Sequence, residues 1–349
     1  MSSELMRRGI AAATALAIAA CATDEGPTEP ELGSTSAAVA NADYALQDLG
    51  TLGGSYSYAF GVSPDGAVVG TSATPGGTDH AFLWRNGTMT DLGTLAGTEG
   101  VSAARGINQH GEVVGESSTG DGQSRAFLWR EGVMTDLGTL NGDGFGTSAA
   151  QSINGLGQVV GYSSSPTATQ TATLWQNGAI TDLGTLGGSF SAAYDINNSG
   201  QVVGSSRVSP ESDDHHAFLW QNGVMTDLGT LGGPFSHAQG INEDGDVVGW
   251  SEAADGQTHA VVWKQGKIID LGLFRGQTFG YAINTEHLKV GFWTGNGAGP
   301  LLWDGRRERL LPGLGGAHGD ATDINDAGLI AGSSYTTDGV PHAALWTPN

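Results

Sequence analysis

Seven tryptophans recur at a nearly constant interval, and this period is the strongest constraint on how the chain can fold. Successive gaps between them are 45, 46, 45, 43, 40 and 43 residues. A period of about 40 to 45 residues is typical of repeat units built from four strands. Since each unit packs only on its neighbours, 349 residues can form one repeat domain. The tryptophans are Trp84, Trp129, Trp175, Trp220, Trp263, Trp303 and Trp346.

Each unit contains four short stretches of β-branched and aromatic residues separated by Gly and Asn, and no helical period follows residue 40. Two of the connections keep their length: Gly115 follows Asn108 by seven positions, and Asp136 follows Trp129 by seven. The other two connections vary and would emerge on one face of an up-and-down sheet. That face is either a binding face, since variable loops on a rigid scaffold often bind ligands, or one whose loops have drifted in length.

The two ends of the repeat region complement each other. Only Thr-Pro-Asn follows Trp346, so the last unit lacks a fourth strand. The segment from Tyr44 to Gly50 matches the fourth strand of the other units, but no third strand precedes it. Joining them removes exposed sheet edges. We therefore predict an all-β fold, a seven-bladed β-propeller of four-stranded antiparallel blades, closed by an N-terminal strand that completes the last blade. A parallel β-helix is the alternative, but its coils would be shorter.

The N-terminus predicts export. Arg7-Arg8 precedes an apolar run from Gly9 to Ala20, which is typical of a signal peptide and too short to span a bilayer. The segment from Ile18 to Cys21 resembles the lipobox of bacterial lipoproteins, which implies that Cys21, the only cysteine, becomes a lipidated N-terminus. An ordinary signal peptidase acting after Ala17-Ile18-Ala19 is the alternative.

The predicted order is a signal peptide at 1–20, a lipidated Cys21 with a flexible tether at 21–43, and the propeller at 44–349. Ala22 stands where Asp would favour retention in the inner membrane, so the resemblance implies anchoring in the outer membrane or at the cell surface. The membrane is then a partner through the lipid anchor, and we expect a monomer.

Several motifs resemble the HAF-repeat family of exported bacterial proteins. They are the run from Asp79 to Trp84, the run from His216 to Trp220, and the segment Asp-Leu-Gly-Thr-Leu-Gly-Gly at 182–188 and 227–233. The resemblance covers residues 44 to 349, implies propeller-like repeats and carries no catalytic residue. Arg125, Thr171 and Gly299 depart from it where His is expected, and Leu310 replaces Asp.

Histidine and aspartate recur together in four units. Counting through the tight hairpin places the histidine that begins strand three diagonally across from the aspartate that ends strand four. A pair repeated around a ring indicates a structural role, although the geometry leaves room for one functional copy. The predicted pairs are His80–Asp91, His216–Asp227, His259–Asp270 and His342–Asp48.

Aromatic and acidic residues of the variable connections are candidates for ligand contact. Trp250 and Trp293 do not recur between units and could grip a ligand, as could Tyr56 and Tyr58. Packing between neighbouring blades is the alternative for the recurrent ones. A metal such as calcium has two weak candidate sites, set against a plain polar loop or hairpin turn. Their residues are Asp213, Asp214 and His215, and Asp244 and Asp246.

Composition limits the function. A net charge of −22 argues against nucleic acid and anionic lipid as partners of the folded domain. Nucleophile, zinc-protease and phosphate-loop motifs are absent from the sequence, and we expect no cofactor. The sequence thus favours a binding or interaction module at the cell envelope, with a glycan or protein as ligand. The alternatives are a propeller-fold glycosidase or lyase with an acidic site at the channel mouth, and a purely structural envelope component.

Overall fold

A computed structural model describes residues 43–97, 99–142, 145–166, 168, 170–295, 297–305 and 307–349. The predicted signal peptide, and Cys21 with the tether that follows it up to residue 42, lie outside these residues. The described part is all-β, with 28 strands and no helix, and therefore contains no helical segment able to cross a bilayer.

The strands form seven groups of four, which we call sheets I to VII. Six of them are consecutive in the chain, and within each the strands are antiparallel neighbours in chain order. Sheet VII takes its fourth strand from the beginning of the chain. One parallel bridge, between His215 and Phe235, also joins sheets IV and V.

The bounds of the strands are as follows. Sheet I contains β2 (Ser57–Val62), β3 (Val68–Ala73), β4 (Asp79–Arg85) and β5 (Thr88–Asp91), and sheet II contains β6 (Ser102–Ile107), β7 (Val113–Ser118), β8 (Ser124–Arg130) and β9 (Val133–Asp136). Sheet III contains β10 (Ser148–Ile153), β11 (Val159–Ser163), β12 (Thr171–Gln176) and β13 (Ala179–Asp182), and sheet IV contains β14 (Ser191–Ile196), β15 (Val202–Arg207), β16 (His215–Gln221) and β17 (Val224–Asp227). Sheet V contains β18 (Gly232–Ile241), β19 (Val247–Ala253), β20 (Thr258–Lys264) and β21 (Lys267–Asp270), and sheet VI contains β22 (Gly276–Ile283), β23 (Lys289–Gly295), β24 (Gly297–Trp303) and β25 (Glu308–Leu310). Sheet VII contains β26 (Gly315–Ile324), β27 (Ile330–Thr336), β28 (Pro341–Pro348) and β1 (Tyr44–Asp48).

The predicted pairing of the two chain ends is confirmed. β1 lies antiparallel to β28, with Leu46 opposite Trp346 and Gln47 opposite Leu345. Trp346 is fully buried in the core cluster that contains Tyr44. The first strand of the chain therefore completes the last sheet.

The first strand of each sheet, which we call the inner strand, lies next to the inner strands of its two neighbouring sheets. These contacts run from β2 through β6, β10, β14, β18 and β22 to β26, and β26 in turn contacts β2. The fourth strands are mostly exposed, whereas the second strand of sheet I is buried along its whole length. The core lies between sheets, since Val69 and Ala81 of sheet I pack with Val113 and Phe127 of sheet II.

Every inner strand carries a β-bulge in its second half, marked by a register shift such as that between Ala59 and Gly61. A bulge changes the direction of the side chain that it carries. The residues in the bulges differ greatly between sheets. They are Phe60, Arg105, Gln151, Tyr194, Gln239, Tyr281 and Thr322.

Asparagine side chains link six pairs of neighbouring sheets. In each link the Nδ2 of an Asn that follows an inner strand donates to the backbone oxygen at the same position of the next sheet. The links run from Asn108 to Asn154 (3.1 Å), Asn154 to Asn197 (3.0 Å), Asn197 to Asn242 (3.0 Å), Asn242 to Asn284 (3.1 Å), Asn284 to Asn325 (3.1 Å) and Asn325 to Ser63 (2.9 Å). The recurrent Asn of the sequence therefore has a structural purpose.

Candidate functional site

The four predicted histidine–aspartate pairs are in contact. Each imidazole Nδ1 lies within hydrogen-bond distance of the carboxylate on the neighbouring fourth strand. The distances are 2.8 Å for His80–Asp91, 2.7 Å for His216–Asp227, 2.9 Å for His259–Asp270 and 2.9 Å for His342–Asp48. Because the same geometry recurs in four sheets, it belongs to the scaffold more than to one site.

The aspartates of these pairs also hold the turn that follows. Asp91 accepts a hydrogen bond from the backbone N–H of Gly93 at 2.7 Å, and Asp136, which lacks a histidine partner, accepts one from Gly138. In sheet II the guanidinium of Arg125 takes the place of the imidazole, with its Nε 3.9 Å from Asp136. The arginine that departs from the repeat therefore supplies another nitrogen group opposite the aspartate at the same position.

The first predicted metal group is not assembled around a common point. Asp213 forms an ion pair with Arg207, and His215 directs its Nδ1 to the backbone oxygen of Asp213 at 2.6 Å. The backbone oxygen of Asp214 accepts a hydrogen bond from the backbone N–H of Val208. His215 instead packs among aromatic rings, 5.3 Å from Phe190 and 6.2 Å from His237 between ring centres.

The second predicted metal group is used for ion pairs within the scaffold. Asp246 is buried and lies 2.5 Å from Lys264 Nζ and 3.2 Å from His287 Nδ1. Asp244 lies 3.8 Å from His287 Nε2. Among the residues that the structure describes, no group of three His, Cys, Asp or Glu side chains could hold a metal ion.

The four aromatic candidates have different surroundings. Trp293 is only 6% exposed and packs in a core cluster with Ala260 and Leu301, which leaves little of the ring for a ligand. Trp250 is half-buried and stacks on His237 with ring centres 4.2 Å apart. Tyr56 and Tyr58 contact each other at 5.9 Å, and the hydroxyl of Tyr56 donates to Asp79.

One position of the inner strand differs between sheets more than its neighbours do. In most sheets a Ser or Thr immediately precedes this position. The residue that follows it is Ala in six sheets and Gly in one. The residues at this position are Tyr58, Ala103, Ala149, Ala192, His237, Phe279 and Asp320. Since Ala suffices in three sheets, the larger residues of the other four are not required by the fold.

These larger residues meet the bulge residues and the second strands of adjacent sheets. We call the resulting group the inner cluster: Tyr58, Tyr194, His237, Trp250, Phe279, Tyr281, Phe292 and Asp320. It combines residues of sheets I, IV, V, VI and VII. The cluster therefore depends on contacts between neighbouring sheets that a single repeat does not contain.

Aromatic rings form a continuous series through sheets IV to VI. Between ring centres, Tyr194 lies 6.3 Å from His237, His237 lies 4.2 Å from Trp250, and Trp250 lies 5.8 Å from Phe279. The series continues from Phe279 to Phe292 at 4.8 Å and from Phe292 to Tyr281 at 5.4 Å. Burial, with a small contribution from His215, lowers the pKa of His237 to about 3, so this imidazole is neutral at pH 7.

Charged groups lie on both sides of this series. On sheet II, Arg105 and Glu116 form an ion pair at 2.9 Å in which both side chains are nearly buried, and Arg105 lies over the ring of Phe60 at 4.5 Å. On sheet VII, Asp320 accepts a hydrogen bond from the backbone N–H of Ser333 at 3.1 Å. Burial raises the pKa of Asp320 to about 6.

Sequence reasoning named Trp250 and Tyr58 but missed six members of the cluster: Tyr194, His237, Phe279, Tyr281, Phe292 and Asp320. A signal for five of them was present in the sequence. Aligning the units on the Asn that follows the inner strand places His237, Phe279 and Asp320 opposite alanines, and it places Tyr194 and Tyr281 at a position where four other units have Arg, Gln or Thr. Comparison of the repeats with one another would have identified these positions.

Comparison with solved structures identifies the architecture. The chain is similar to the WD40 beta propeller domain of Doa1, with 16% identity and a TM-score of 0.50 over 86% of this chain and 96% of that one. The fold is a β-propeller. In this architecture the inner strands surround a central channel, so the inner cluster lies around the channel of the propeller.

The chain is also similar to parts of two longer proteins. The propeller is similar to the acylaminoacyl peptidase of Pyrococcus horikoshii, with 12% identity, a TM-score of 0.52 and coverage of 84% of this chain and 52% of that one. It is also similar to TolB from Acinetobacter baumannii, with 9% identity, a TM-score of 0.46 and coverage of 85% and 65%. It thus spans about half of the first protein and just under two-thirds of the second. No family model and no curated protein sequence matches the chain, so the resemblance to HAF-repeat proteins stays a prediction.

Proposed function

We propose that the chain is an exported, lipid-anchored binding module of the cell envelope, a closed seven-bladed propeller that binds a glycan or protein at the inner cluster. The single observation that carries this proposal is the divergence of the repeat at the channel. Most repeated positions elsewhere keep their residue type, whereas the inner-strand position exchanges Ala for His, Phe, Tyr and Asp. A scaffold alone does not need that divergence.

Closure into seven blades is supported by contacts between the last and the first sheet. The carboxylate of Asp323 accepts a hydrogen bond from Val62 N–H at 2.8 Å, and the backbone N–H of Ala343 donates to Ser57 Oγ at 2.8 Å. The same hydroxyl contact joins five other pairs of neighbouring sheets, as between Ala81 and Ser102 at 2.8 Å. Sheets VII and I therefore share a contact that also joins sheets I and II.

The aromatic content of the cluster supports ligand binding. Rings offer a large contact area at a small cost in side-chain entropy and are enriched where proteins grip ligands. Trp250 is half-buried, and among the aromatic rings of the described residues His237 stacks on it while Phe279 meets it edge-on. A glycan ring or an apolar side chain of a protein could pack against the remaining surface.

The first test is a binding screen with the full-length protein on a glycan array and in pull-downs from envelope extracts. For any ligand found, Trp250→Ala should weaken binding by about 30-fold, because a central tryptophan contact is worth about 2 kcal/mol or more. The matched control is Asn177→Gly, at a hairpin tip remote from the channel, which should change nothing. A ligand that binds both variants equally would place the site elsewhere.

The anchor is a separate proposal that rests on the sequence around Cys21, outside the described residues. Cys21→Ser should move the protein from the membrane fraction to the soluble fraction, because stable anchoring needs the acyl chains. Cell fractionation measures this, and separation of inner from outer membranes tests the expected outer-membrane or surface location. A Cys21→Ser protein that still sediments with membranes would contradict the anchor and favour cleavage after Ala17-Ile18-Ala19 with another mode of retention.

An enzyme is the second candidate function, favoured by Asp320. A carboxyl group whose pKa is raised to about 6 by burial can act as a general acid near neutral pH. A glycosidase of the common type needs a second carboxylate near the first. Glu116 of the same channel is held in an ion pair by Arg105. Turnover of a bound glycan, lost in Asp320→Asn while binding persists, would support this alternative.

A further inference from the structure

We propose that the inner cluster binds an organic cation, such as an ammonium group, between the Asp320 carboxylate and the aromatic rings of Tyr281 and Phe292. This inference rests on the binding function proposed above and narrows its ligand to molecules that carry a positive charge. A cationic ligand differs from a neutral sugar ring or an apolar side chain, because the site must offer it a negative charge without a counterion beside aromatic rings.

The hydrogen bonds that Asp320 accepts within the described chain come from its own sheet. The backbone N–H of Ser333 donates to its carboxylate at 3.1 Å, and the Ser333 hydroxyl and the backbone N–H of Asp320 also act as donors. No Arg, Lys or His of the described chain forms an ion pair with it. A buried charge without a counterion is costly, and a cationic ligand would remove that cost.

Two other carboxylates of inner strands show how the fold satisfies such a group when its role is structural. Asp195 accepts hydrogen bonds from the hydroxyl of Ser152 at 2.7 Å and from the backbone N–H of Ile241 at 2.9 Å. Asp323 accepts bonds from the backbone of the next sheet and from its own strand. Both tie neighbouring sheets together, whereas Asp320 ties none.

Aromatic side chains lie near Asp320. Burial is the main cause that raises the pKa of Tyr281, and the nearby Asp320 carboxylate raises it further. The pKa of Tyr58 is raised first by burial, then by Tyr335, and then by Asp320. Tyr281 stacks on Phe292, which stacks on Phe279. A cation near such rings gains about 0.5 to 2 kcal/mol from the negative charge density of their faces. The net charge of −22 also raises the local concentration of cations.

The titratable groups around Asp320 come from four strands. They are His318 on the same strand, Tyr335 on β27 with its ring 5.5 Å from His318, Tyr58 on β2 and Tyr281 on β22. Tyr58 and Tyr281 stay neutral near pH 7, since burial raises the pKa of each above the ordinary value. Asp320 becomes charged as the pH rises through about 6. Affinity for a cation should therefore rise between pH 5 and pH 7.5.

The test compares choline with 3,3-dimethylbutan-1-ol, its uncharged isostere, by NMR titration of the full-length protein. Choline should bind at least tenfold more tightly at pH 7.5 and lose most of that advantage at pH 5. Asp320→Asn should reduce choline affinity about tenfold and leave the isostere unchanged. The matched control Asp338→Asn removes an exposed carboxylate of the same sheet and should have no effect. His318→Gln should keep the pH profile, which assigns the profile to Asp320.

Three results would each overturn the inference: equal binding of both probes, no binding of choline at 50 mM, or a choline affinity that does not depend on pH. The wild-type protein alone provides these results, even if Asp320→Asn fails to fold. The proposed function fails separately. A neutral glycan bound through Trp250 without choline binding would refute only the cation, whereas no ligand of any kind in the screen would refute both.

Discussion

Deleting residues 44–50 should cost at least about 4 kcal/mol of folding free energy and lower the melting temperature by about 10 °C or more. The deletion removes β1, and with it the buried side chains of Tyr44 and Leu49, which are 9% and 7% exposed. It also uncovers the edge of β28 and breaks the contact between His342 and Asp48. Circular dichroism during heating measures the loss.

A rescue variant tests whether stability depends on strand β1 itself or only on the number of residues removed. Appending Gly and then the sequence of 44–50 after Asn349 should restore stability, because the N–H of Asn349 already donates to the backbone oxygen of Asp43 at 3.0 Å. The added Asn-Gly turn matches the tight hairpin tips of the other sheets. An unchanged melting temperature after the deletion, or a rescue variant no more stable than the deletion, would contradict the role of β1.

Gly115→Ala should destabilise the protein by about 3 kcal/mol or more, measured by urea denaturation. A Cβ at this position would lie 1.9 Å from the backbone oxygen of Ala103, so the inner strand and its neighbour would have to separate. The bulge in the inner strand brings that oxygen close. The equivalent distance is 1.9 to 2.1 Å for the corresponding glycine of every sheet: Gly70, Gly161, Gly204, Gly249, Gly291 and Gly332.

Gly120→Ala provides the matched control in the same sheet. A Cβ there meets nothing within 4 Å, and the residue does not need a positive φ. The variant should stay within about 0.5 kcal/mol of the wild type. If Gly115→Ala proved equally harmless, the recurrent glycine would have to be explained by something other than close packing of the two strands.

The repeat period and the constant hairpins made the strands, their pairing and the histidine–aspartate contacts predictable. These features depend on the residue spacing within one unit, or on the same residue spacing repeated in the next unit. His342 and Asp48 could be paired across nearly the whole chain because each occupies a recognisable position in its unit. Spacing of this kind determines register, since a shift by one residue moves a side chain to the other face of a strand.

The same rule explains why Trp250 and Trp293 have different surroundings. Trp250 directly follows the recurrent glycine Gly249, and the matching residue after Gly291 is Phe292. Trp293 is one position further along, so it faces the core while Phe292 joins the inner cluster. The position of Asp320 could be found by aligning the repeats, but its surroundings could not be foreseen, because Tyr58 and Tyr281 come from other sheets and the sequence does not reveal the bulge that carries Tyr281.

The asparagine links have a direction and a single gap. Each donor points to the following sheet, and the series stops at Ser63, whose hydroxyl contacts Asp65 and Ala67 instead of reaching sheet II. The joint between sheets I and II therefore lacks the asparagine link that joins the other six pairs of neighbouring sheets. The missing hydrogen bond makes separation of the two sheets less costly there than at an otherwise identical joint that keeps its link.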